Sequence, residues 1–298
     1  MLARVLLLKP RTTKTGRLKK IRGWRSFLGI PLAGAVVTVE VKGSVFELQA
    51  DRGGVIDQVI PVELTPGWHT VTLHSGIQSP VKARMWIVDP EATTGILCDV
   101  DDTIMVTALP RPLLAAWNSF ARDENARRPV PGMAVLLERL TRENPSAPVI
   151  YLSTGAWNVA PTLQRFVSRH LYPMGTFLLT DWGPTRERWF RSGIEHKREN
   201  LARLAKEFPD IAWILIGDDG QHDEKIYREF AAAHPANVNA VAIRELLAPE
   251  ALLAGGRRHL DRTANPLEIP WVSAPNGAGL ASELGKLGII AHDAAKRF

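Results

Sequence analysis

The sequence predicts an α/β protein in which a doubly wound parallel-sheet domain follows a small antiparallel β-sandwich domain. Two observations lead to this prediction. Residues 33–88 alternate apolar and polar side chains with a period of two, whereas the chain from residue 95 repeats short apolar stretches and helical patterns in turn. Strands that alternate with helices of this size indicate a parallel sheet covered on both faces.

In the β-rich part, turn-forming residues separate four short stretches rich in β-branched and apolar side chains. The predicted strands are residues 37–41, 59–62, 69–73 and 81–88. Their regular spacing is typical of a small antiparallel sandwich, and residues 89–94 are the predicted linker to the next domain.

Five apolar stretches and four amphipathic stretches make up the α/β part. The predicted strands are residues 95–100, 147–152, 176–180, 211–216 and 238–243, the last of which closes the series. The predicted helices are residues 131–142, 157–170, 195–208 and 223–233. Ligands of such sheets bind at the carboxyl ends of the strands, so the chemistry is expected there.

Composition and charge narrow the class of protein. With Cys98 as the single cysteine, an intramolecular disulfide and a cysteine zinc site are both excluded. No apolar run approaches the roughly 20 residues that span a bilayer, and no secretion signal is recognisable, so a cytoplasmic protein is expected. Nine of the 37 basic residues lie in residues 1–25, where they could contact anionic lipid, contact nucleic acid or remain a solvated arm.

Two carboxylates, Asp99 and Asp101, lie two residues apart where the first apolar strand gives way to a loop. Like charges in a half-buried site raise the pKa of one group unless a cation or a shared proton offsets them. Mg²⁺ prefers carboxylate and carbonyl oxygens and also holds phosphate oxygens. The pair therefore indicates either a divalent metal site, for which Mg²⁺ beside a phosphate is suited, or two carboxylates that share a proton.

Three further elements follow in the same order along the chain, each at a predicted strand end or helix start. Ser153, Thr154 and Gly155 offer a hydroxyl and backbone N–H groups that suit a phosphate. Lys197 opens a predicted helix after Gly193. Residues 217–223 follow the fourth strand with further acidic candidates for metal binding, which are Asp218, Asp219 and Asp223.

This order resembles the haloacid-dehalogenase-like phosphohydrolases over residues 95–245, and a narrower resemblance is to the actin-patch-associated phosphatidate phosphatases, which are related to the lipin-type catalytic domain. The resemblance implies a Mg²⁺-dependent phosphatase with Asp99 as nucleophile and Asp101 as general acid and base. It also implies that Thr103 fixes the loop and that Ser153, Thr154, Gly155 and Lys197 bind the phosphate. The implied metal ligands are Asp99, Asp101 through its carbonyl, Asp218, and either Asp219 or Asp223.

The chain accordingly divides into a basic arm at 1–25, a β-sandwich at 26–89, a haloacid-dehalogenase-like domain at 95–250 and a C-terminal extension at 251–298 to which no chemistry is assigned. The expected partner is phosphatidate or a related phospholipid, with peripheral membrane association and no specific nucleic acid. Two alternatives stay open: a phosphatase acting on a soluble phosphomonoester, and a catalytically silent phospholipid-binding module. The oligomeric state is left open.

Overall fold

The computed structural model describes residues 1–7, 30–76, 79–106, 127–180, 186–220, 222–253 and 268–291. The predicted fold class is confirmed at the level of an α/β protein with a parallel sheet flanked by helices and separate antiparallel sheets. The division of the chain into four segments stays a prediction.

The N-terminal part is built from antiparallel strands. Its strands are β1 (Leu2–Arg4), β2 (Leu6–Leu7), β3 (Ile30–Pro31), β4 (Val36–Val41), β5 (Ser44–Gln49), β6 (Val55–Asp57), β7 (Gly67–His74) and β8 (Val81–Ile87). A four-stranded sheet has the order β5-β4-β7-β8, and β1 pairs with β6 and β2 with β3. The inward side chains of β4 form the centre of its small core.

One strand prediction in this part was wrong, and two strands were not predicted. Residues 59–62 are not a strand, because Pro61 has no N–H to donate to a ladder and the side chain of Val59 is 92% exposed. Strands β5 and β6 were not predicted, since the apolar alternation in them is short. Residues 1–7, predicted as the start of a basic arm, pair as strands. The rest of that arm, residues 8–25, lies outside the described residues.

The second part is a six-stranded parallel sheet. Its strands are β9 (Thr94–Asp99), β12 (Val149–Ala156), β13 (Thr176–Thr180), β14 (Ala212–Asp218), β15 (Val238–Arg244) and β16 (Trp271–Ala274), and a small ribbon pairs β10 (Met105–Val106) with β11 (Arg128–Pro129). The order β13-β12-β9-β14-β15-β16 is that of a doubly wound open sheet. The strand run was expected to close at residue 243, which was wrong, since the four-residue β16 pairs with β15.

Helices cover both faces of this sheet. They are α1 (Met133–Glu143), α2 (Ala160–Arg169), α3 (Arg186–Glu207), α4 (Asp223–Ala233), α5 (Ala248–Leu253) and α6 (Gly277–Lys286). Side chains of α1, α2 and α6 join a core on one face, and those of α3 and α4 join a core on the other. The cores separate because successive strand residues point to opposite faces: Ile96 and Cys98 enter one, and Leu97 enters the other.

Three helices begin elsewhere than the sequence predicts, and the smallest shift is that of α1, which begins at Met133 and not at residue 131. α3 starts nine residues before the predicted Glu195, so Lys197 lies inside a helix and does not open one. Strand β12 continues to Ala156 and a 3₁₀ turn at Trp157–Val159 precedes α2. Helix termini depend on tertiary packing and capping as well as on periodicity, which is why the pattern misplaced them.

Candidate active site

The site lies at the point where the strand order of the sheet reverses. Strands β9 and β14 are neighbours, with Cys98 opposite Ile216, while the chain leaves β9 toward β12 and returns to β14 on the other side. In open α/β sheets the loops diverge at this point and leave a crevice at the carboxyl ends of the strands. Asp99 and Asp218 end these two strands and are thereby brought to the same crevice.

Asp99 is buried, with a side chain held from two directions. Asp99 is 2% exposed. Lys197 Nζ donates a hydrogen bond to Asp99 Oδ1 at 2.6 Å, and Thr103 Oγ1 donates one to Asp99 Oδ2 at 3.1 Å. Burial raises the pKa of Asp99 well above its ordinary value; the charge of Lys197 opposes this, and Asp223, Asp218 and Asp101 add to it. Each carboxylate oxygen keeps a further lone pair beyond the hydrogen bond it accepts.

Three buried carboxylates form a compact acidic cluster. Oxygens of Asp99, Asp218 and Asp223 all lie within 4.8 Å of one another. Asp218 Oδ1 accepts from Gly220 N at 2.7 Å, which turns the loop after β14 back toward the crevice. Gly217 permits the close approach of Asp223, since a Cβ at Gly217 would lie 2.6 Å from Asp223 Oδ2.

Asp219 has a different environment. Its side-chain Oδ1 accepts from Leu246 N at 2.8 Å, and its own N–H donates to Arg244 O at 3.0 Å. These two hydrogen bonds tie the loop after β14 to the end of β15. The acidic cluster therefore includes Asp223, and Asp219 supports the loop from the neighbouring strand.

Lys197 reaches the cluster from α3, about one turn beyond Gly193. Besides Asp99 it contacts Asp223 Oδ1 at 2.5 Å, and its side chain is 10% exposed. Burial alone would lower the pKa of Lys197, but the carboxylates of Asp223 and Asp99 outweigh that effect and raise it. The lysine therefore stays charged among the three carboxylates.

The three other residues predicted to bind phosphate, Ser153, Thr154 and Gly155, lie in β12, where Ser153 contacts Asp101. Ser153 Oγ donates to Asp101 Oδ2 at 3.0 Å and accepts from Gly155 N at 3.0 Å. Thr154 O accepts from Thr180 Oγ1 at 3.1 Å, and a Cβ on Gly193 would lie 3.1 Å from Thr154 Cγ2. Ser153, which lies within β12, thus contacts the loop that follows β9, and its hydroxyl is engaged with the carboxylate of Asp101.

The acidic cluster fits a divalent cation. Its three carboxylates carry more negative charge than the single ammonium of Lys197 neutralises, and their oxygens are the hard donors that Mg²⁺ prefers. Opposite charge is required to keep such groups ionised in a buried site. Asp99, Asp218 and Asp223 are therefore the residues that could hold the metal.

Arg244 was missed by the sequence analysis. It ends β15, is 2% exposed, and its Nη1 donates to Asp102 O at 2.6 Å, next to Asp101. Its Nη2 pairs with Glu250 Oε2 at 2.6 Å. A single arginine that follows six mostly apolar strand residues at the carboxyl end of a predicted parallel strand is a signal that could have identified it.

Together these observations define the class: a doubly wound α/β protein with a buried acidic site at its topological switch point. A family model described as "Phosphatidate phosphatase APP1, catalytic domain" matches residues 94–245, just over half of the 298-residue chain. The chain belongs to this family, and the predicted resemblance to phosphatidate phosphatases is confirmed. Phosphatidate phosphatases are phosphoric monoester hydrolases.

Part of the chain is similar in sequence to each of two other proteins. The chain is 28% identical over 202 residues to an uncharacterised protein of Schizosaccharomyces pombe, covering 65% of this chain and 33% of that protein. It is 23% identical over 150 residues to phosphatidate phosphatase APP1 of Saccharomyces cerevisiae, covering 50% of this chain and 25% of that protein. The chain thus spans about a third and about a quarter of the length of these relatives.

Among the residues that the structure describes, no helix combines the length and the apolar character needed to cross a bilayer.

Proposed function

We propose that this protein is a Mg²⁺-dependent phosphatidate phosphatase of the haloacid-dehalogenase-like fold, which forms a transient phospho-aspartate on Asp99. The family match supports the reaction, and the acidic cluster at the carboxyl edge supports the metal. The strand order and the helices on both faces are compatible with the proposed fold.

The observation that carries the proposal is the environment of Asp99. A buried carboxylate with a lysine on one oxygen, a threonine hydroxyl on the other and two more carboxylates within 4.8 Å is held rigidly in one orientation. A nucleophile must be fixed within reach of the atom it attacks, since positioning supplies a large share of the rate in phosphoryl transfer.

In the first step, a carboxylate oxygen of Asp99 attacks phosphorus while the bond from phosphorus to the lipid oxygen breaks. Asp101 gives its proton to that departing oxygen, which leaves as an alcohol. Ser153 holds the Asp101 carboxyl in place through the 3.0 Å hydrogen bond. Lys197 neutralises charge on the phosphoryl oxygens.

In the second step, the same Asp101, now a carboxylate, accepts a proton from water as the water oxygen attacks phosphorus. The acyl phosphate bond breaks, inorganic phosphate leaves and Asp99 is restored as a carboxylate. A Mg²⁺ ion bound by Asp99, Asp218 and Asp223 would neutralise phosphoryl charge and help align the phosphate. Asp101 through its carbonyl and Asp219 complete the set of residues proposed near the metal.

The proposed substrate is phosphatidate or a related phospholipid, because the family match names a phosphatidate phosphatase. A phospholipid substrate requires contact with a membrane surface, so peripheral membrane association from the cytoplasm is part of the proposal. The proposed division of the chain assigns the reaction to residues 95–250 and no chemistry to residues 251–298.

A substrate panel with and without Mg²⁺ tests the proposal directly. Purified protein is expected to release phosphate from dispersed phosphatidate faster than from sugar phosphates or nucleotides, and only with Mg²⁺ present. Preference for a soluble monoester would overturn the assignment of a lipid substrate. Binding of phosphatidate without release of phosphate would overturn the assignment as an enzyme.

The nucleophile is tested by Asp99→Asn, which is expected to lower turnover by more than about 10³-fold because an amide cannot form the acyl phosphate. Asp101→Asn is expected to stall both proton transfers. Asp210→Asn, an exposed aspartate before β14, is the matched control and should retain wild-type turnover. Substantial activity in Asp99→Asn would refute the nucleophile.

A further inference from the structure

Arg244 joins the two acidic loops of the site through its side chain and its backbone. Its Nη1 donates to Asp102 O at 2.6 Å in the loop that carries Asp99 and Asp101. Its own carbonyl accepts from Asp219 N at 3.0 Å in the loop that carries Asp218. One residue at the end of β15 therefore contacts both segments whose carboxylates face the crevice.

The loop that Arg244 holds has an unusual backbone. Asp102 has a φ of +59°, in the left-handed region that non-glycine residues seldom adopt, and its N–H donates to Met105 O at 2.8 Å. Such a conformation is strained and persists where surrounding contacts hold it. The guanidinium of Arg244 supplies one of these contacts, at the carbonyl of Asp102, in the peptide that follows Asp102.

A partly buried ion pair orients the guanidinium. Arg244 Nη2 lies 2.6 Å from Glu250 Oε2, with the two side chains 3% and 17% exposed. Leu247 N also donates to Glu250 Oε2, at 2.9 Å, and Arg244 Nε reaches Pro275 O at 3.4 Å. The planar fork is thus engaged in three directions, an arrangement that the single point charge of lysine cannot reproduce.

We propose that Arg244 is a positioning residue for the reaction, because it holds the Asp102 carbonyl and thereby sets the orientation of Asp101 relative to Asp99. Glu250 acts through Arg244. The inference rests on the proposed function, since it concerns the same proton-transfer group. Arg244 acts on the backbone beside Asp101 from the side of β15, while Ser153 acts on its carboxylate.

The test compares Arg244→Lys with wild type in kcat, KM and the pH profile of kcat, together with thermal unfolding. Arg244→Lys is expected to lower kcat by about 10- to 100-fold, as loss of supporting contacts around an active site commonly does, while KM changes by less than about threefold. The unfolding curve should stay cooperative, and the pH profile of kcat should change shape because Asp101 is reoriented.

Glu250→Gln provides a second variant in case Arg244→Lys does not fold. It keeps an acceptor for Leu247 N and loses the charge that orients Arg244, so kcat is expected to fall by about 3- to 10-fold. The matched control is Arg198→Lys, which alters a half-exposed ion pair with Glu229 on α3 and α4 and should retain wild-type kcat.

The outcomes separate this inference from the proposed function. If wild type releases phosphate and both Arg244→Lys and Glu250→Gln retain its kcat and pH profile, Arg244 has no positioning role. If both variants lose stability but keep wild-type kcat per folded molecule, the role is structural alone and the inference fails. A wild-type protein without phosphatase activity overturns the proposed function instead.

Discussion

The ammonium group of Lys197 lies 2.6 Å from Asp99 Oδ1 and 2.5 Å from Asp223 Oδ1, so one cation from α3 bridges a strand end and a helix start. All three side chains are buried, with the lysine side chain 10% exposed. In a low-dielectric site, removal of the lysine would leave the two carboxylates without a compensating charge. The free energy lost in this way is larger than the net stabilisation that the ion pairs provide.

Lys197→Met is therefore expected to lower the free energy of unfolding by about 3 to 5 kcal/mol in the absence of metal. Urea denaturation measures the loss. Lys206→Met, on an exposed position of the same helix, is the control and should change the free energy of unfolding by less than about 0.5 kcal/mol. Equal effects of the two substitutions would show that the Lys197 bridge contributes nothing to stability.

Metal binding should appear as stabilisation of the folded state. At a Mg²⁺ concentration 100 times the dissociation constant, the free energy of unfolding is expected to rise by about 2.7 kcal/mol. Asp218→Asn should remove most of this gain, because it takes away one of three clustered carboxylates. Thermal unfolding with and without Mg²⁺ measures the stabilisation of the wild type and of Asp218→Asn, and Asp210→Asn is the control. A Mg²⁺ effect that survives in Asp218→Asn places the ion elsewhere.

Gly217 is expected to tolerate no side chain. A Cβ there would lie 2.6 Å from Asp223 Oδ2 and 2.8 Å from Tyr227 Cε2, so Gly217→Ala must displace α4. The expected loss is about 1 to 3 kcal/mol in the free energy of unfolding, together with weaker Mg²⁺ binding as Asp223 moves. Gly53→Ala, where the nearest atom is a side-chain oxygen at 3.3 Å, serves as control. Unchanged Mg²⁺ affinity in Gly217→Ala would argue against Asp223 as a ligand.

Stability should depend on pH through His196, beside Lys197. Burial lowers the pKa of His196 from 6.5 to about 4; a hydrogen bond with the Leu178 backbone opposes this, and Lys197 adds to it. The unfolded state binds a proton on His196 more tightly than the folded state does. The contribution of His196 to the free energy of unfolding is therefore present above pH 6.5 and is lost as pH falls toward 4. The free energy of unfolding is expected to fall by about 3 kcal/mol over this pH range.

Denaturant unfolding at pH 4.5 and 7.5 measures the effect of His196. His196→Gln is expected to reduce the difference in unfolding free energy between the two pH values. His74→Gln, whose native side chain is 41% exposed in a surface pair with Glu40, is the control and should leave the difference near that of wild type. If the two substitutions behave alike, His196 is not the group responsible.

Much of the α/β architecture could be predicted because its signals are local. The apolar stretches of β9, β13, β14 and β15 are buried on both faces and read as continuous runs, and the helix over Asp223–Ala233 has the predicted bounds. The short strands β5, β6 and β16 were missed. A stretch of three to six residues with weak alternation becomes a strand only when a distant partner supplies its hydrogen bonds.

The sequence by itself determined the parallel sheet, the family and the candidate residues, because strand periodicity and motif order depend on neighbours along the chain. Only the tertiary structure decided that Asp223 joins the acidic cluster while Asp219 turns toward Leu246, and that Ser153 contacts Asp101. It also placed Arg244 against Asp102, 142 positions away. These contacts join segments that meet only when the parallel strands align, and no local pattern encodes which of several acidic side chains will face the crevice.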